Sequence, residues 1–155
     1  MITQARLKEL FDCVDGHLIF KKTGLIKKET PINKNHRYAR TYLDGKVYAI
    51  HRLVYLFHKG ELPKIIDHID NDRANNKIEN LREATQQQNC LNRARHSNNT
   101  SGCKNVHWDK AVQKWAVAMS INRIRKTFGY FEDLEFASLV AEEARRKFHG
   151  EFARI

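Results

Sequence analysis

The chain has 155 residues, 41% of them apolar, and a formal net charge of +10 at pH 7. That length holds one ordinary domain or two small ones, and the apolar content excludes wholesale disorder. No apolar run approaches the ~20 residues of a membrane span. The opening "MITQARLKEL" lacks the apolar core of a secretory signal. The expectation is a cytoplasmic protein, not secreted and with no membrane partner.

Cys13, Cys90 and Cys103 are widely separated and show no paired spacing. This fits neither a disulfide framework nor a structural zinc site. The positive charge is uneven. Residues 21–60 hold ten Lys/Arg against two Asp/Glu, and residues 104–130 hold six against one. Residues 132–154 reverse the balance, with four against six. Positive charge gathered in this way is the footprint expected for a polyanion, above all a nucleic acid.

In chain order, "YARTYLDGKVYAIH" reads as two strands around an Asp44-Gly45 turn. "HRLVYLFHKG" follows as a helix, with Leu53, Val54, Leu56 and Phe57 at helical spacing and Gly60 as its stop. His51 and Arg52 in this helix either touch phosphate or pack. Pro63 starts an extended approach to Ile65 and Ile66. In "TQQQNCLNRAR" the Thr85/Gln88 spacing is that of a capping box, so a helix should begin at Thr85. Asn89 would lie just past its first turn, with Asn92 and Arg93 on the same face.

The polar segment 95–102, "RHSNNTSG", marks a boundary, giving domains 1–96 and 97–155. Beyond it, "KNVHW", "KWAVAMSI" and "RKTFGYF" read as three strands. In the middle strand Trp115, Val117, Met119 and Ile121 share one face, and Lys114, Ala116, Ala118 and Ser120 the other. The last segment reads as an amphipathic helix, with Phe136, Val140, Ala144 and Phe148 as its apolar stripe and Gly150 as its end. A helix on one face of a three-stranded sheet leaves the opposite face for basic side chains, among them Lys104, His107, Lys114, Arg123 and Arg125. The predicted fold class is therefore α+β.

The stretch "IIDHIDNDRANNKIENLREATQQQN", residues 65–89, holds the chemistry. Asp67 and His68 are neighbours on an extended segment, so their side chains point to opposite faces and can serve different tasks. A neutral imidazole can take a proton from water. A strand, a turn and a helix would bring Asn89 back toward Asp67. A carboxylate plus an amide oxygen is a hard, open site suited to one divalent ion, Mg²⁺ or alternatively Mn²⁺. Zn²⁺ would want more nitrogen or sulfur. Asp70 and Asp72 read as an Asx-rich turn, and Asn71, Asn75 and Asn76 as makers of turn hydrogen bonds.

"DH…NNKIENLREAT…N" resembles the ββα-metal motif of HNH endonucleases, in particular the homing-type enzymes of phages and mobile introns. The resemblance covers about residues 5–95. It implies that His68 is the general base, that Asp67 and Asn89 are metal ligands, and that Asn80 braces the loop and orients the base. It also implies a phage or bacterial setting. The C-terminal segments "SGCKNVHWD", "KWAVAM" and "RKTFGYFEDLEFASLVAEEARRKFHG" are similar to the APETALA/ethylene-response-factor DNA-binding domain of plants. That likeness implies a sheet lying in the DNA major groove, with Lys104, His107 and Arg125 on contact positions.

Lys114, Arg123, Arg52 and Arg93 complete the expected contacts to double-stranded DNA. The expected protein is a metal-dependent DNA endonuclease, monomeric or weakly homodimeric, that nicks or cuts both strands. The alternative of another class is a DNA-binding regulator with an inactive nuclease centre.

Overall fold

In the computed structural model the described residues are 2–33, 37–92 and 99–153. The fold is α+β, with short helices and small antiparallel sheets. The chain divides into two compact units, Met1–Asn89 and Cys90–Ile155. Among the described residues no helix is long and apolar enough to cross a membrane.

In the first unit, helix α1 (Gln4–Leu10) is capped by the Thr3 hydroxyl, which accepts from the Arg6 N–H. It leads into the hairpin β1 (Phe11–Val14) and β2 (His17–Phe20). A second hairpin, β3 (Arg40–Leu43) and β4 (Lys46–Ala49), turns at Asp44 and Gly45, both at positive φ. That is the conformation of a type I′ turn, whose twist matches that of the strands.

Helix α2 (Ile50–Lys59) follows directly and ends at Gly60, whose φ of 83° and N–H bond to the Leu56 carbonyl form a left-handed cap. Its apolar residues serve two cores. Leu53 and Leu56 pack with Leu7, Phe11, Leu18 and Leu43. Ile50, Val54 and Tyr55 pack with Ile66 and Leu81. The second core fixes the ribbon β5 (Ile66–His68) and β6 (Leu81–Glu83), from which the candidate site is built.

Helix α3 (Gln86–Leu91) starts after Thr85, at a reciprocal capping box. The Gln88 N–H donates to the Thr85 hydroxyl at 3.2 Å, and the Thr85 N–H donates to Gln88 Oε1 at 2.8 Å.

The second unit contains the antiparallel sheet β7 (Val106–Asp109), β8 (Lys114–Ile121) and β9 (Ile124–Phe131), with helix α4 (Leu134–His149) packed against it. The α4 stripe differs from the expected one. The buried residues are Ala137, Ala141, Ala144 and Arg145, whereas Phe136 is 55% and Phe148 37% exposed. Alanines let the helix backbone approach Val106 and Val117 of the sheet. The two phenylalanines sit at the margins, Phe136 edge-on to Phe131 and Phe148 tilted against Phe128. A four-residue repeat of large side chains marks one flank of a helix as readily as its buried centre.

Candidate active site and basic sheet face

The site grows from the ribbon. Asp67 pairs with Arg82 and His68 with Leu81 in antiparallel register. The ladder continues past the strand ends, where the Ile69 N–H donates to the Asn80 carbonyl at 2.9 Å. Asp67, His68, Asn76 and Asn80 are all buried, although each is polar. Buried polar groups need partners, and the loop 69–80 supplies them.

Asn80 holds that loop together. Its Oδ1 accepts from the Asp70 N–H at 3.0 Å, and its Nδ2 donates to Asp70 Oδ1 at 2.9 Å and to the Asn75 carbonyl at 2.8 Å. Asp70 Oδ1 also accepts from the Asp72 N–H at 2.8 Å, and Asp72 Oδ1 from the Ala74 N–H at 2.9 Å, two successive Asx turns. Burial raises the Asp70 carboxyl, but the hydrogen bonds from Asn75, Asn80 and the Asp72 backbone outweigh it, and its pKa is lowered.

His68 Nε2 lies 3.2 Å from Asn76 Oδ1. An amide oxygen only accepts, so Nε2 carries the ring proton and the basic lone pair falls on Nδ1. The hydrogen bond orienting the imidazole thus comes from Asn76, a residue read from the sequence as a turn-maker. Asn80, expected to do both jobs, braces the loop that carries Asn76. The chain path brings Asn76 there: eight residues separate it from His68, and the Asx turns fold that distance back. Burial lowers the His68 pKa, against the raising effect of the Asn76 bond and of Asp70 and Asp67.

Three further side chains surround the imidazole without having been anticipated there. Tyr38 stacks on His68 at 6.0 Å between centroids, and His51 meets it edge-on at 5.2 Å. Arg73, exposed on the loop, lies over the Tyr38 ring at 5.5 Å and is close enough to lower the His68 pKa.

His51 itself packs rather than lying open to solvent. It is 6% exposed, its Nδ1 has no hydrogen-bond partner among the described residues, and burial first, then the charges of His68 and Arg52, pushes its pKa down to about 3. The unfolded chain binds a proton at ~6.5 that the folded chain refuses. Stability contributed by neutral His51 is therefore complete above pH 6.5 and is lost as pH falls from 6.5 toward 3. His51→Leu should remove roughly 3 kcal/mol of the loss between pH 7 and pH 4, measured as the difference in urea unfolding between the two pH values.

The β1–β2 hairpin supports the same loop from outside. Gly16, at φ +80°, presses on the Asn76 peptide, and a Cβ there would lie 2.6 Å from the Asn76 carbonyl carbon and 2.8 Å from its oxygen. Gly16→Ala should cost roughly 1–3 kcal/mol and shift the His68 ring resonances in an NMR spectrum. Unmoved resonances would mean that the hairpin does not set Asn76.

Asp67 lies opposite Arg82, whose Nε and Nη2 donate to its Oδ2 at 3.1 and 2.9 Å. Asn89 is half-buried on α3, its N–H bonded to the Thr85 carbonyl at 3.0 Å. Asp67, His68 and Asn80 thus share one ribbon and its loop, with Asn89 on the helix that follows. Among the described residues no three His, Cys, Asp or Glu side chains gather as a metal-binding group. The oxygen donors of Asp67 and Asn89 are of the hard kind that Mg²⁺ and Mn²⁺ accept alongside water and phosphate oxygens, and in that sense the donor set fits such an ion.

In the second unit, cross-strand register sets the face of the sheet opposite α4. His107 faces Ala116, Arg125 faces Ser120, and Thr127 and Tyr130 face Ala118 and Ala116. A bulge at Val117/Ala118 turns Phe128 into the core while Thr127 and Tyr130 stay outside. Arg125 Nη2 lies 3.4 Å from His107 Nε2, and Arg123 is exposed on the β8–β9 turn. Lys114 pairs with the exposed Glu132 at 3.1 Å, a contact that solvent makes weak.

Two expected contacts are otherwise engaged. Lys104 Nζ donates to the Leu91 carbonyl at 2.7 Å, and its own carbonyl accepts from buried Arg145 at 2.7 Å, so it is built into the framework. Arg52 donates to the Pro63 carbonyl at 3.2 Å, tying α2 to the approach to β5. Arg93 lies outside the described residues. Trp108 sits edge-on to Trp115, on the α4 side of the sheet.

A ββα unit made of β5, β6 and α3, with a buried His beside an Asp and an Asn-braced loop between the strands, defines the protein as of the HNH class. Residues 48–91 match the HNH endonuclease family. The chain is 34% identical over 98 residues to protein 3.8 of Escherichia phage T7, covering 62% of this chain and 80% of that protein. It is 33% identical over 122 residues to "Uncharacterized HNH endonuclease L560" of Acanthamoeba polyphaga mimivirus, covering 75% of this chain and 60% of that protein. The chain thus carries an HNH endonuclease domain. No solved structure matches it.

Proposed function

We propose that this protein is a homing-type, metal-dependent DNA endonuclease in which His68 is the general base. The observation that carries the reading is the His68–Asn76 bond, which assigns the proton to Nε2 and the lone pair to Nδ1. His68 takes a proton from a water molecule, the water oxygen forms a bond to phosphorus, and the bond from phosphorus to the leaving sugar oxygen breaks. HNH nucleases typically use a divalent metal. Here Asp67 and Asn89 would hold one Mg²⁺ or Mn²⁺, which when bound stabilises charge on the phosphate and the leaving oxygen. Asn80 keeps the loop closed, Asn76 keeps the imidazole aligned, and Arg73 attracts the phosphate.

The second unit binds double-stranded DNA through the face carrying His107, Arg125 and Arg123, in the manner of the APETALA/ethylene-response-factor domain. Tyr130 and Thr127 join this face.

Supercoiled plasmid incubated with the protein and Mg²⁺ tests the reading. Conversion to nicked or linear product supports it, and intact plasmid that is merely retarded on the gel replaces it with a DNA-binding regulator. Nicked product indicates action by one chain, and direct linearisation indicates a dimer. Neutralising Arg123 and Arg125 should reduce the slope of log affinity against log salt by about 0.9 per lost phosphate contact. An unchanged slope would remove the sheet from the interface.

A further inference from the structure

Asp67 and Arg82 face each other across the β5–β6 ribbon, and their side chains are only 6% and 13% exposed. An exposed pair of this kind would contribute little. Out of water, removing either partner leaves the other as an uncompensated charge. The guanidinium is therefore a fixed part of the ribbon, and it is set on the very carboxylate that the proposed function makes a metal ligand.

The charges then decide how that site behaves. Asp67 contributes −1, Arg82 +1, and Asn89 none. Asp70, the next carboxylate along the chain, is committed to Asn75, Asn80 and the Asp72 backbone. A divalent ion beside Asp67 would thus add two positive charges to an Asp67–Arg82 pair whose own charges already cancel. Phosphodiester groups are what can balance them, each bringing one negative charge and hard oxygen ligands.

We propose that Arg82 couples metal binding to DNA binding. It holds Asp67 in place in the free protein while cancelling the charge that would attract a cation, so affinity for Mg²⁺ or Mn²⁺ is low until DNA phosphates complete the site. Linkage makes the effect mutual: the metal tightens DNA binding by the same factor. Free protein would then hold little metal, and the reactive site would assemble on DNA. The inference rests on the reading of Asp67 as a ligand, and its test separates the two.

The test measures Mn²⁺ binding by electron paramagnetic resonance on the full chain carrying His68→Ala, so that DNA stays uncut. Binding is read with and without a 20-base-pair duplex at low salt, and a duplex-only blank is subtracted. DNA should tighten Mn²⁺ binding by about tenfold or more. Adding Arg82→Gln should tighten binding to the DNA-free protein by about tenfold and leave DNA little further effect. Arg82→Lys, which keeps the charge but not the two-pronged contact, should retain the coupling.

Equal or weaker Mn²⁺ binding by a folded Arg82→Gln protein, or no effect of DNA on the parent, overturns the proposal. If circular dichroism shows that Arg82→Gln does not fold, Arg82→Lys decides, and lost coupling there overturns it. Asp67→Asn is the separate arm. Unchanged Mn²⁺ binding in that variant refutes Asp67 as a ligand, whereas weakened binding without any effect of Arg82→Gln refutes only the coupling.

Discussion

His68→Ala lowers the rate of metal-dependent DNA hydrolysis by roughly 10²–10⁴-fold, the usual contribution of a general base, while DNA binding changes little. The expected size follows from geometry. The imidazole is buried against the Tyr38 and His51 rings, which also touch each other, and its Nε2 is committed to Asn76. Only Nδ1 is then chemically able to accept a proton. Asn76→Ala should give a smaller loss than His68→Ala, because it releases the ring from its tautomer without removing the base. The two variants are compared in single-turnover assays, which report chemistry apart from product release. Equal rates for His68→Ala and the parent chain would eliminate the assignment, and an Asn76→Ala loss as large as that of His68→Ala would make Asn76 more than an orienting group.

Asn80→Ala carries the largest expected cost in stability, about 3 kcal/mol. The side chain makes three hydrogen bonds in a buried position, and its loss removes the partners of the Asp70 N–H and the Asn75 carbonyl and one of the two donors to Asp70 Oδ1. In a unit of this size that corresponds to a fall in melting temperature of roughly 10–20 °C. Asn80→Asp discriminates the mechanism. An aspartate can still accept from the Asp70 N–H but cannot donate, and it sets a second carboxylate against Asp70. It should be at least as damaging as alanine at pH 7 and should recover part of the loss on acidification, as protonation restores a donor. Thermal melts at pH 5 and pH 7 measure this. If Asn80→Asp were as stable as the parent at pH 7, the two donated bonds would not be holding the loop.

Several features of this protein follow from interactions only two to four residues long, and those were readable directly. The Asp44-Gly45 turn, the Gly60 cap and the Thr85/Gln88 capping box each depend on backbone conformation and on a partner within one turn of chain. The α+β character, the three strands of the second unit and the placing of Asp67 and His68 on a strand before a helix come from the same short range. Periodicity fixes a face only when the apolar residues on that face are also those that fit, and α4 shows the limit. Phenylalanines mark its flanks, because only alanines are small enough for close approach to Val106 and Val117.

The partners of the reactive groups lie at longer range. Asn76 reaches His68 because two Asx turns and the Asn80 brace fold the intervening loop back on itself. Arg82 reaches Asp67 because the β5–β6 register sets them opposite each other, fifteen residues apart in sequence. Lys104 and Arg52 point the same lesson the other way. The sequence offers Lys104 as a DNA contact and Arg52 as either a phosphate contact or a packing residue, and in the fold they donate to the Leu91 and Pro63 carbonyls. Residue type and spacing selected the groups proposed for the chemistry. Which groups orient them, neutralise them or take them out of play was decided by the path of the chain, because a hydrogen bond acts only over about 3 Å and sequence separation says little about that distance.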